Sequence, residues 1–423
     1  MDTLTLLRFL LARDAASQLA TAQWDAPAWD AVQRAVTAWD AAPIAHASAR
    51  DAGLLSTVPA PLAEAWKREH AASTAMNLAL DFEAADLTAA LAKAGAPAMR
   101  LKGTALFALG VWRDPGARPT GDVDLVVRPR DASIVRAVLR ERGYETARAG
   151  GMKHWPPVRR GGVIVEVHEH AFWSLADGHR VPLAEMTAPG GGGPALGAPP
   201  ALGAPPALGA PPALGAPPAL GPTVAHIVHH LFESSVTTPC LAVRTLCDFA
   251  ELRAFVAARE EVGLADRIAA DVERYGLARR LGALAGLLER VLERPSPPSW
   301  TREARPADID SLLTRCAPRS GARVQALRVL DRTAAFARMP LREKRALLAH
   351  YLLPPPAVLR ADYGLAPGSP WVWGLYAVRP LHLAGRSALD AARLVWPKTA
   401  ADPASDAPPP PAAAPRKQDP GAA

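Results

Sequence analysis

LKGTALFALGVWRDPGARPTGDVDLVV, Leu101–Val127, decides the reading of this 423-residue chain. A Lys-Gly-Thr turn opens a short apolar helix over Thr104–Val111, and Gly-Asp-Val-Asp-Leu-Val-Val then feeds a strand, Asp122–Val127. Side chains alternate faces along a strand, so Asp122 and Asp124 point the same way, one pleat apart. Two carboxylates side by side repel each other unless cations or donors lie between them. Hard divalent ions such as Mg²⁺ take oxygen ligands and share them with substrate phosphates. The pair therefore points to phosphoryl or nucleotidyl transfer.

The residues around the pair suit the same chemistry. Gly103 can lie flat against a ligand, and Thr104 can cap the helix that follows, whose free N–H groups favour an anion such as a triphosphate. Lys102 and Arg118 add positive charge. Downstream, the apolar strand GVIVEVHEHAF offers a third carboxylate, Glu166, with His168 on the same face as a supporting group. Glu169 has the opposite strand parity and is set aside. The expected nucleotide site is Lys102, Gly103, Thr104 and Arg118, and the expected catalytic and metal-binding set is Asp122, Asp124 and Glu166.

LKGTALF, then RPTGDVDLVV, then Gly143–Tyr144, then VEVHEHAF resembles the "uncharacterised nucleotidyltransferase" family. That family lies within the superfamily of DNA polymerase beta and the kanamycin-type antibiotic transferases. The helical stretch HIVHHLFESS…RTLCDFAEL also resembles the family's distal region. The resemblance spans roughly residues 40 to 385, with its specific motifs confined to 101–170. Where the superfamily has Gly-Ser and a shorter interval, this chain has Gly-Thr followed by residues 105–121. Threonine keeps the hydroxyl, and added loop length costs little.

The resemblance implies an α+β fold, a small mixed sheet flanked by helical regions. It implies a Mg²⁺- or Mn²⁺-dependent transfer of NMP from an NTP, ATP among the candidates, to a hydroxyl acceptor with loss of pyrophosphate. The acceptor is open among a small molecule, a protein side chain and RNA. Two alternatives stand beside this reading: a toxin-like transferase acting on tRNA, and a non-catalytic nucleotide-binding scaffold.

Composition sets the frame. Apolar residues make up 49% of the chain, enough for a sizeable core, and the net charge is +7. A pI near 9.6 favours polyanionic partners, but the arginines are scattered and no DNA-binding motif stands out. Three cysteines without Cys-x-x-Cys spacing argue for a reducing, cytoplasmic setting and against structural zinc. MDTLTLLRFLLARDAAS reads as an amphipathic helix and not a signal peptide. No apolar run reaches the roughly 18 residues of a membrane span.

The chain divides by pattern. Residues 1–96 are helical, with a proline-free run over Leu62–Lys93 in which Leu78, Phe82, Leu87 and Leu91 recur at helical intervals. Residues 97–186 alternate strand and helix: strands at Ala98–Lys102, Asp122–Val127, Tyr144–Ala147 and Val163–His168, with a helix over Asp131–Arg142. Residues 187–222 form a low-complexity linker in which Ala-Leu-Gly-Ala-Pro-Pro recurs from Ala195 to Pro218. Residues 223–352 are again helical, broken by a Pro-rich loop at 292–310. Residues 353–396 form a C-terminal segment and 397–423 a Pro/Ala tail read as disordered. Within the second helical region, His226, His229 and His230 share a helix face without an accompanying acid, which disfavours a zinc site. Arg244 and Asp248, four apart, have the spacing of a helical ion pair.

Overall fold

Val-Asp-Leu-Val-Val is buried along its whole length as strand β2 (Val123–Val127). A run so rich in β-branched residues, covered on both faces, belongs at the centre of a sheet. The computed structural model describes residues 1–11, 24–146, 155–173, 180–182, 220–234, 239–259, 261–318, 356, 359, 368–379 and 381. Its main sheet has five strands in the order β1-β2-β5-β4-β3, with β1 (Ala98–Arg100), β3 (Glu145–Thr146), β4 (Val158–Arg160) and β5 (Val163–His168). β2 and β5 run parallel, and the remaining pairs are antiparallel. A separate hairpin pairs β6 (His170–Trp173) with β7 (Arg180–Pro182).

Alternation along β2 and β5 divides their side chains between two environments. Val123, Leu125, Val127, Val165 and Val167 join one core with Leu80, Ala84, Leu87 and Leu91 of α4 (Ala60–Lys93) and Val135, Val138 and Leu139 of α6 (Ala132–Glu141). Asp124 and Val126 of β2, with Glu166 and His168 of β5, take the opposite parity. That second face looks toward α5 (Lys102–Ala108) and the C-terminal helices.

The helices before and after the sheet share one core. It unites α1 (Thr3–Leu11), α2 (Ala26–Trp39) and α3 (Ala42–Asp51) with α7 (Leu220–Ser234), α8 (Pro239–Ala257), α9 (Leu264–Arg274), α10 (Ala278–Leu292), α11 (Pro298–Thr301) and α12 (Pro306–Cys316). Phe9, Trp39, Phe249 and Trp300 are among its most deeply buried side chains. Polar ties close it: Arg8 Nε donates to the Val291 carbonyl at 2.9 Å, and Trp39 Nε1 to the Cys316 carbonyl at 2.9 Å. The sheet is thus inserted into a helical body made from both flanks. Helix α4, 34 residues and so about 50 Å long, joins the two cores, with Trp66 in the helical body and Leu80–Leu91 under the sheet.

Several sequence expectations change in detail. The strand expected to end at Lys102 stops at Arg100, because Lys102 begins α5. In α4 it is Asn77, Leu80, Glu83 and Ala84 that turn inward, while Leu78 and Phe82 face solvent. The loop expected at 292–310 contains the starts of α11 and α12, each with proline in its first turn, where a missing N–H costs nothing. Helix α7 begins at Leu220, inside the stretch read as linker. Residues 187–219, the helix expected at 320–352 and the 397–423 tail lie outside the described residues. Among the described residues no helix is long and apolar enough to cross a membrane.

Candidate functional site

Parallel pairing of β2 with β5 sets Asp124 directly beside Glu166, and Val126 beside His168. All three polar side chains are buried, at 2% exposure for Asp124, 6% for Glu166 and 8% for His168. Their ligand-type atoms lie within 4.8 Å of one another. Two carboxylates and an imidazole make an O,O,N donor set, two hard oxygens and a borderline nitrogen, suited to a divalent ion. His168, expected only as a support, therefore offers a ligand atom. Asp122 is half-buried just ahead of β2 and stands outside that trio, while lining the same cleft.

The electrostatics are polarised. Asp124 Oδ1 accepts from Lys102 Nζ at 2.6 Å and lies 2.8 Å from His168 Nε2. Burial alone would raise the Asp124 carboxyl, but the Lys102 ammonium and the His168 contact outweigh it and hold it far below the usual range. Asp122 goes the other way. Burial, then the charge of Asp124, push its carboxyl up to about 6, with Glu166 adding to the effect against Lys102 and Arg118. Burial works against the Lys102 charge, yet Asp124, Asp122 and Glu166 together raise its pKa.

The turn is built for this contact. Leu101 N–H donates to the Asp124 carbonyl at 2.9 Å, pinning the end of β1 beside the carboxylate. Lys102 follows in the left-handed region, φ 50°, unusual for a residue with a Cβ. At Gly103 an added Cβ would overlap the Arg118 guanidinium, so glycine is required for the close approach. Thr104 is placed differently from the expected cap. It lies inside α5, buried, and its hydroxyl donates to the Leu101 carbonyl at 3.2 Å instead of accepting from a backbone N–H.

Arg118 is held by a partner that spacing did not reveal. Its Nε and Nη2 donate to Asp248 of α8 at 2.5 and 2.8 Å, and Nη1 donates to Thr120 Oγ1 at 2.8 Å. Trp112 Nε1 adds a bond to Asp248 Oδ1 at 2.9 Å. Asp248 thus turns to Arg118 and Trp112, and Arg244 reaches Asp40 at 3.5 Å. The long interval 105–121 is the segment that makes these ties. Asn77 Nδ2 grips the carbonyls of Pro115 and Arg118, each at 2.5 Å, and Asp114 takes Arg50 and His70, both at 2.9 Å.

Between the sheet and the C-terminal helices lies a cleft of about 240 Å³. Lys102, Gly103, Arg118, Asp122 and Asp124 form one side; His226 and His230 of α7 with Arg244 and Thr245 of α8 form the other. The sequence singled out His226, His230, Arg244 and Asp248 by helical spacing but did not place them opposite the carboxylates, because this wall assembles from helices more than a hundred residues downstream. One signal was available: Asp248 interrupts the apolar run LCDFAEL, and a carboxylate in such a run usually has a buried partner.

No curated protein and no solved structure matches the chain. Residues 25–199, which carry the paired strands and the turn, match the family model described as uncharacterised nucleotidyltransferase. The carboxylate-bearing sheet lies within that segment, and the match makes residues 25–199 similar to a nucleotidyltransferase family.

Proposed function

We propose that this cleft transfers a nucleoside monophosphate from an NTP to a hydroxyl acceptor, with release of pyrophosphate. The observation that carries the reading is Asp124 abreast of Glu166 on adjacent parallel strands, with Asp124 lining a cleft whose far wall holds His226, His230 and Arg244. Asp122, Asp124 and Glu166, with His168 beside them, would hold Mg²⁺ or Mn²⁺. Such an ion, when bound, would neutralise phosphate oxygens and make the α-phosphorus more electrophilic.

The chain's own residues do the positioning. The Lys102–Gly103 turn faces the phosphates, and Arg118 reaches them only as part of its pair with Asp248, chiefly fixing the shape of that turn. His226, His230 and Arg244 face the β- and γ-phosphates from the opposite wall. The acceptor hydroxyl gives its proton to Glu166 as its oxygen bonds to the α-phosphorus and the bond to the bridging oxygen of the departing pyrophosphate breaks. Fixed geometry and charge complementarity supply most of the rate in chemistry of this kind.

The test is incubation of wild type and the Asp122→Asn/Asp124→Asn double variant with each α-³²P-labelled NTP, Mg²⁺ or Mn²⁺ and cell extract. Label is expected on an acceptor with wild type alone, while the double variant stays folded by circular dichroism. Nuclease or protease sensitivity of the label then assigns the acceptor to RNA, protein or metabolite. Equal labelling by the double variant would remove the carboxylates from the reaction.

A further inference from the structure

Asp122 and Asp124 line one side of the cleft, Glu166 lies beside Asp124, and the cation placed among these three carboxylates is a side chain. Lys102 Nζ lies 2.6 Å from Asp124 Oδ1, and its charge also acts on Asp122 and Glu166. The oxygen it holds belongs to the same carboxylate that joins Glu166 and His168 as a donor set. An ammonium and a divalent ion on one carboxylate repel each other strongly in a buried site.

We propose that Lys102 is an exchangeable counter-ion of this cluster. It neutralises the carboxylates when no divalent ion is bound, and is displaced toward the phosphates when ion and NTP enter together. The inference rests on the nucleotidyltransferase reading above.

Two further observations support exchange over a fixed salt bridge. The Lys102 side chain is 24% exposed although its partner Asp124 is 2% exposed, so the stem has a route into the cleft. Its flexible four-carbon chain carries a point charge that serves carboxylate or phosphate oxygens equally well. The left-handed backbone at Lys102 directs the side chain at Asp124 at an expense in strain, of the sort found where function demands it. Divalent ion binding to the protein alone is then a displacement and weak. NTP strengthens it by offering the ammonium a new partner, and by linkage the ion strengthens NTP binding equally.

The experiment is Mn²⁺ titration of the full chain without nucleotide, followed by electron paramagnetic resonance, with thermal unfolding in EDTA and in Mn²⁺ alongside. Lys102→Met should bind Mn²⁺ at least about tenfold more tightly than wild type. It should also unfold at a lower temperature in EDTA and regain the difference in Mn²⁺. Lys102→Arg, which keeps the charge, should behave as wild type. Should Lys102→Met fail to fold in EDTA, Lys102→Gln retains a donor to Asp124 without the charge and must show the same tightening. Equal or weaker Mn²⁺ binding by the neutral variants, with Asp124→Asn abolishing it, overturns the exchange and leaves the metal site standing. Absence of Mn²⁺ binding by wild type and neutral variants alike overturns both readings.

Discussion

Asp122 and Asp124 sit two residues apart yet are driven in opposite directions, and the difference lies in their partners. Asp124 has an ammonium and an imidazole on one oxygen. Asp122 has burial and the neighbouring negative charge, which push its carboxyl up to about 6 from 3.8. A native carboxyl that holds its proton more tightly than in the unfolded chain makes ionisation unfavourable to folding. That penalty is absent below about pH 4, grows through pH 6 and is complete above it. Asp122→Asn removes it. Thermal unfolding in EDTA should therefore show the variant about 2–4 °C more stable than wild type at pH 7.5, with no gain at pH 4. A gain of the same size at both pH values would assign the effect to packing. The same contrast shows what the sequence could reveal of the site. Parity matched Asp124 with Glu166 and set Glu169 aside, whereas Asp122, expected on the same strand, stands just ahead of β2 and outside the donor set. Nothing in the spacing indicated that Lys102 would close on Asp124, or that Thr104 would turn inward to a carbonyl.

Elements defined by local pattern were legible, and those oriented by distant partners were not. Strand β5 (Val163–His168) has the bounds its β-branched residues suggest. Helix α4 was visible as a helix, but its inward face was not. Asn77 turns in because it grips the 115–118 loop, and Glu83 because Tyr144 Oη and Arg160 donate to it. Phe82 and Leu78 are left outside. A buried polar side chain with a partner overrides the hydrophobic periodicity that single-sequence reading depends on. The Arg118–Asp248 pair is the strongest instance, at 7% and 5% side-chain exposure. Asp248→Ala leaves a buried guanidinium unmatched and should lower stability by about 3–5 kcal/mol in urea unfolding. Arg118→Met/Asp248→Leu should lose markedly less than the two single losses added together. Additive losses would mean that the two residues act independently.

At the scale of the whole molecule, the segment matched by the family model is not a self-sufficient body. Trp29, Val36, Trp39 and Trp66 of that segment pack in a core completed by Leu7 and Phe9 before it and by Phe249, Leu284 and Trp300 after it. Residues 25–199 expressed alone should accumulate in the insoluble fraction, or bind a hydrophobic dye such as ANS without a cooperative melting transition. A soluble fragment with a sharp transition would show that the sheet and its nearest helices suffice. The shared core also imposes a schedule on synthesis. Arg8 of α1 meets the Val291 carbonyl 283 residues later in the chain. At about 5–20 residues per second, the ribosome takes roughly 15–60 s to deliver that partner. Until then Leu6, Leu7, Phe9 and Leu10 have no C-terminal helices to close over them. The nascent chain must pass that interval with an apolar helix uncovered, the condition in which chaperone binding, and not intrinsic stability, governs the yield of folded protein.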